Sequence, residues 1–111
     1  MATGPTTTRR PPVSSDDAER IAEAVTAVDG VAALHAGMFG EVATYLPGRR
    51  VQGIRIGADR VDVHVSLALD APVRATAAAI QAAVGAITDL PVDVTVEDLV
   101  PVTPASGRDL R

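Results

Sequence analysis

The sequence predicts an α+β fold: a two-layer sandwich with two amphipathic helices on one face of a small, mainly antiparallel three-stranded sheet. Three observations carry this prediction. Apolar residues recur at helical spacing in two segments, Ala18, Ile21, Val25 and Val28 in the first and Ala77, Ile80, Val84 and Ile87 in the second, and such a stripe buries one side of a helix. Val61 to Leu69 alternates strictly. Val61, Val63, Val65, Leu67 and Leu69 fall on one side, and Asp62, His64, Ser66 and Ala68 on the other, the pattern of a strand with one buried and one wet face. The segments follow in the order helix, extended segment, strand, strand, helix, strand, which two packed layers accommodate.

Met1 to Val13 is rich in Thr and Pro with no hydrophobic period, and it reads as a disordered tail. Ser14 or Ser15 is placed to cap the first helix, and Asp16, Asp17 and Glu19 suit the positive end of its dipole. Asp29-Gly30 stops it. Val31 to His35 reads as a short strand or an extended connector. Gly37 to Gly48 is too apolar for a free loop and too glycine-broken for a long strand, and Pro47-Gly48 marks a turn. Val51 to Ile56 reads as a strand, joined through the short polar stretch Gly57 to Arg60 to the strand Val61–Leu69. Asp70 is placed to cap the second helix, with Pro72 in its first turn, where a missing N–H costs little. Val92, Val94 and Val96 alternate with Asp93, Thr95 and Glu97 as a final strand, which Pro101 and Pro104 discourage from continuing. One domain is therefore expected over residues 14–100, between a tail at 1–13 and a flexible tail at 101–111.

With 111 residues the chain suits one small domain. It has no cysteine, so disulfides and thiolate metal sites are excluded. The formal charge is −4, and all ten basic residues are Arg. Such an acidic chain, with Phe39 and Tyr45 its only aromatics, has neither a general attraction for nucleic-acid phosphates nor a stacking platform for single strands. No stretch approaches the ~20 apolar residues of a membrane span. The arginines near the N-terminus have no apolar run behind them, so the start of the chain is not a secretory signal. The expectation is a cytoplasmic protein that would reach a membrane only through a partner.

No catalytic set is visible: neither His35 nor His64 has a nucleophile at a recognisable spacing, and no catalytic residue, cofactor or metal is expected. Gly37-Met38-Phe39-Gly40 lacks the Gly-Lys-Ser/Thr ending of a phosphate loop and the third glycine of a dinucleotide fingerprint. Asp62, His64, Asp93 and Glu97 could share the polar face of the sheet, which leaves one alternative, a small-ligand or metal-binding domain, beside that of a solvated face of mixed charge. Another alternative is a nucleic-acid-binding α+β domain, since several RNA-binding folds pair two helices with a small sheet. Phe39 and Tyr45 read as core or interface anchors. Arg49, Arg50, Arg55 and Arg60 form the only basic cluster, able to face the acidic surface of another copy, to touch anionic lipid or to stay solvated. Phe39, Tyr45, Arg49, Arg50 and Arg55 are thus the candidate interaction surface, and an unpaired edge strand offers a further route to association.

The ordered pieces of the chain resemble the alkaline shock protein twenty-three (Gls twenty-four-type) envelope stress response family. They are Val28-Asp29-Gly30-Val31 after the first helix, Gly37, Gly48-Arg49, Val51-Gln52-Gly53-Ile54-Arg55-Ile56, Val61-Asp62-Val63-His64-Val65, Pro72, and Ile87 through Val96. The match runs from Ile21 to Val96, and its Phe39–Pro47 version looks like the actinobacterial branch. Arg stands where familiar members tend to carry Lys. The resemblance implies a non-enzymatic, self-associating cytoplasmic scaffold or adaptor linked to envelope stress. Its implied partners are copies of itself and a membrane-anchored protein, with no nucleic acid and no direct membrane insertion. It implies no catalytic residues.

Overall fold

A computed structural model describes residues 15–101. The expected tails at 1–13 and 101–111 lie outside the described residues, save Pro101, as does Ser14. A 3-10 turn over Ser15–Asp17 leads into α1 (Ala18–Thr26), followed by β1 (Val31–Leu34), β2 (Ala43–Leu46), β3 (Arg49–Gln52) and β4 (Ile54–Ile56). β5 (Val61–Ala68), α2 (Val73–Gly85) and β6 (Val92–Val100) complete the order.

The fold is α+β with two helices, and it differs from the expected three-stranded sheet in three ways. First, the main sheet has four strands, and β2 and β3 form a separate antiparallel hairpin. β1 and β4 pair end to end along the same edge of β5, Leu34 opposite Val65 and Ile54 opposite Val63. Second, the longest pairing, β5 with β6, is parallel; α2 supplies the crossover that parallel neighbours require. Third, β6 runs to Val100 rather than ending near Glu97, because a bulge at Glu97, between the Val65–Val96 and Ser66–Asp98 pairs, absorbs a break in alternation and lets pairing continue. An irregularity in β1, at Ala32, faces β5 one step further along, between Ser66 and Leu67.

The expected strand Val51–Ile56 is in fact two strands in two sheets, divided at Gly53. A continuous strand would set Val51 and Ile54 on opposite faces, yet both are buried in the core. Gly53 takes up the change of phase with φ +84°, a left-handed conformation glycine adopts without strain.

The core joins Ile21 and Val25 of α1, Ile80 and Val84 of α2, and Val61, Val63, Val65 and Leu67 of β5, all fully buried. Leu46 and Val51 of the hairpin extend it past the sheet edge. Thr76 takes the buried position expected of Ala77, and Ile87 packs against the core from beyond the end of α2. Leu69 departs from the expected alternation and is exposed, because β5 ends at Ala68 and the chain turns there into α2. Asp17 and Pro72 occupy the N-cap positions, and neither makes a side-chain cap to its helix, so Asp70 does not cap α2 as expected. The face opposite the helices is less wet than alternation implies. Ser66 is buried, and Asp62 and His64 are half-buried, since both flanks of β5 carry paired strands.

Candidate interaction surface

β1 and β4 act as one strand interrupted beside His64. The His35 N–H donates to the His64 carbonyl at 2.9 Å, and the His64 N–H donates to the Gly53 carbonyl at 2.9 Å. Residues 36–52 leave and rejoin the sheet at this point. Their departure is closed by the Val42 N–H donating to the Ala36 carbonyl and the Gly53 N–H to the Val42 carbonyl, both at 2.8 Å. These bonds satisfy backbone groups on both sides of the interruption.

Two structures are carried on this insertion. One is a four-residue turn, Gly37 to Gly40, in which the Gly40 N–H donates to the Gly37 carbonyl at 3.1 Å. The Phe39 N–H donates to Glu41 Oε1 at 3.0 Å, and the Gly37 N–H donates to His35 Nδ1 at 2.9 Å. The backbone hydrogen bond at Glu41 itself, then that from Phe39, holds the Glu41 carboxyl below its ordinary value. These bonds fix the backbone while leaving the side chains in water: Met38 is 81% exposed and Phe39 87%.

The other is the β2–β3 hairpin, whose register sets Tyr45 opposite Arg50 and Thr44 opposite Val51. Thr44 and Val51 face inward, and Tyr45 and Arg50 outward, with Tyr45 68% exposed. Thr44 Oγ1 donates to the Ile54 carbonyl at 2.6 Å, tying the hairpin to β4. Arg49 turns to α1 and holds both oxygens of Glu19, Nη2 to Oε1 at 3.1 Å; that hydrogen bond, with the charge behind it, raises the Arg49 pKa.

The structure thus divides the five candidate residues. Tyr45 and Arg50 meet as a cross-strand pair, and Phe39 stands on the neighbouring turn. Arg49 is engaged with Glu19, and Arg55 pairs with Asp62 at 3.6 Å across β4 and β5. Met38 belongs beside Phe39, although sequence reasoning did not single it out. The signal was its place between two close glycines, which mark a turn and so exposure for both residues inside it.

On the sheet face away from the helices, which Asp62 shares, His64 Nδ1 meets Glu97 Oε2 at 2.6 Å, with both side chains largely covered. Arg60 Nη1 meets Asp93 Oδ2 at 2.7 Å. Asp62, His64 and Glu97 are therefore split between two pairs. Among the described residues no group of three or more His, Asp or Glu side chains gathers as a metal site. Nor is any helix among them long and apolar enough to cross a membrane. Comparison of the chain with family models, with curated proteins and with solved structures returns no match.

Proposed function

We propose that this protein is a non-enzymatic, self-associating scaffold or adaptor that works through the inserted segment between β1 and β4. The observation that carries the reading is the turn at Met38 and Phe39. Large apolar side chains concentrated on an ordered surface mark interaction sites, and a turn fixed before binding loses little entropy on binding. Tyr45 beside Arg50 adds an aromatic and an arginine, residue types over-represented in binding hot spots. The resemblance to the alkaline shock protein twenty-three family supports the same class and adds a setting, the cytoplasm beneath the cell envelope, with a membrane-anchored protein as a second partner. The alternative that uses the polar sheet face is weaker, because its carboxylates are already occupied by Arg55, Arg60 and His64.

Sedimentation velocity across a hundredfold concentration range tests this reading. The expected result is growth into dimers or larger species, reduced in a Phe39→Ala, Tyr45→Ala variant of unchanged thermal midpoint. A chain that stays monomeric throughout would remove self-association and leave an adaptor for a different protein, sought next by pull-down against membrane fractions.

A further inference from the structure

A groove of about 880 Å³ opens between the end of α1 and the start of α2, at the C-terminal end of β5. Alanines line it, Ala27 at the C-cap of α1, Ala68 from β5, and Ala71, Ala75 and Ala79 from the approach and first turns of α2. Ala75 and Ala79 are spaced by one helical turn and so share one side, beside the Thr76, Ile80 and Val84 stripe that faces the core. Their small side chains leave the space between the helices unfilled.

One polar group in this wall is unsatisfied. Thr76 is 4% exposed and lines the groove. Its hydroxyl turns toward Gly30 on the facing wall, so that a Cβ built on Gly30 would lie 3.0 Å from Oγ1. No side-chain hydrogen bond of Thr76 is present among the described residues. A buried hydroxyl without a partner is costly, and an entering backbone carbonyl would satisfy it. Exposed Asp29 and Asp70 border the groove, and neither carboxylate has a partner among the described residues.

We propose that copies of this chain join head to tail, the Met38–Phe39 turn of one copy seated in the alanine-lined groove of the next. This rests on the self-association reading above and names its two surfaces. The turn supplies large apolar side chains with no place in their own monomer. Its Met38 and Phe39 carbonyls take no backbone hydrogen bond outside the strands and helices, so one is available to Thr76. Charge agrees as well. The outward hairpin face carries Arg50, whose one polar side-chain partner among the described residues is Gln52 at 3.5 Å, and the groove border carries Asp29 and Asp70; opposite charges of this kind set orientation and encounter rate. The two surfaces are different patches of one molecule, so a joined pair still presents one free turn on one copy and one free groove on the other. Such a heterologous contact builds rings or filaments instead of stopping at a dimer.

The test uses two variants of the full chain, Phe39→Asp for the turn and Ala75→Arg, Ala79→Arg for the groove. All three positions are exposed, and thermal melts establish that each variant folds. In sedimentation velocity each variant alone is expected to need about thirtyfold more protein, or greater, to assemble than the unmodified chain, the loss typical of a hot spot. An equimolar mixture keeps one intact turn and one intact groove, and it is expected to form a species of twice the monomer mass and nothing larger. Groove variants that assemble like the unmodified chain would overturn the proposal and assign the groove to another occupant, residues 102–111 or a different protein. A mixture that remains monomeric, or variants that both assemble unchanged through an edge such as β6, would overturn it too. If the unmodified chain itself is monomeric at every concentration, the underlying self-association reading fails, a result distinct from these.

Discussion

Replacing Gly53 with Ala tests whether β1 and β4 are one interrupted strand. Gly53 has φ +84°, and an L-residue held in a left-handed conformation costs roughly 1–2 kcal/mol. The space is also closed. A Cβ at this position would lie 2.8 Å from Leu34 Cβ, 3.0 Å from the His64 carbonyl oxygen and 3.1 Å from the His35 nitrogen. None of these is the loose end of a flexible side chain, so relief must come from separating strands that the two 2.9 Å bonds at His64 hold together. Overpacking of this kind adds about 1–3 kcal/mol. The expected loss is therefore about 2–5 kcal/mol, set against the ~5–15 kcal/mol stability of a typical domain, with a thermal midpoint lower by roughly 10–30 °C.

Urea and thermal denaturation followed by far-ultraviolet circular dichroism measure the change, since the chain has no Trp. Gly48→Ala separates the two contributions. Gly48 has φ +76°, yet a Cβ there meets nothing within 4 Å, so only the backbone term of about 1–2 kcal/mol applies. Gly85, in the last turn of α2, also has open space around an added Cβ, and Gly85→Ala is expected to stabilise the fold by about 0.4–1 kcal/mol. A Gly53→Ala variant no less stable than Gly48→Ala would refute the reasoning, because the close approach of the insertion's end to β1 and β5 would then carry no energy.

Three further outcomes follow from the same contacts. Ile80 is fully buried in the core, so Ile80→Ala is expected to cost about 2–5 kcal/mol by urea denaturation; an unchanged midpoint would remove it from the core. Thr44→Val deletes the donor that satisfies the Ile54 carbonyl, with an expected loss of about 1–3 kcal/mol and faster amide exchange through the hairpin; no change in either would mean that this bond does not tie β2 to β4. The Glu41 carboxyl is lowered from 4.5, chiefly by backbone hydrogen bonds. A depressed folded-state value means that the turn is supported above the ordinary carboxylate range and loses that support as pH falls through the lowered value. The Phe39 amide proton shift is expected to titrate with a midpoint below 4.5 and to be flat in Glu41→Gln, whereas a midpoint at or above 4.5 would contradict the bond.

The candidate residues could be named from the sequence but their exposure could not: Phe39 and Tyr45 read as core or interface anchors, and the fold leaves both in water. Phe39 and Tyr45 were distinguishable as the only aromatics in an acidic chain, and Pro47-Gly48 is the turn that pairs Tyr45 with Arg50. The partners of Arg49 and Arg55 were not legible. Glu19 lies 30 residues from Arg49, and only the folding of the hairpin against α1 brings them together. His64 and Glu97 shared a face in the sequence reading, but their 2.6 Å contact also depends on the parallel pairing of β5 with β6 and on the bulge that carries Glu97.

What the sequence determined by itself was the set of elements whose order is written into side-chain period: the α1 stripe through Ile21 and Val25, the inward valines of β5, and Ile80 and Val84 of α2. Burying a periodic face is a local demand, and almost any compact arrangement meets it. Tertiary structure alone decided that β6 lies parallel to β5, that β1 and β4 share one edge, and that residues 36–52 leave the sheet between them. A strand's backbone donors and acceptors are satisfied by partners distant in the chain, and the residues that make the strand do not specify which partner that is. Gly53 lies between the two cases: the phase slip from Val51 to Ile54 is written in the sequence, but its meaning emerges only where the His64 N–H finds the Gly53 carbonyl.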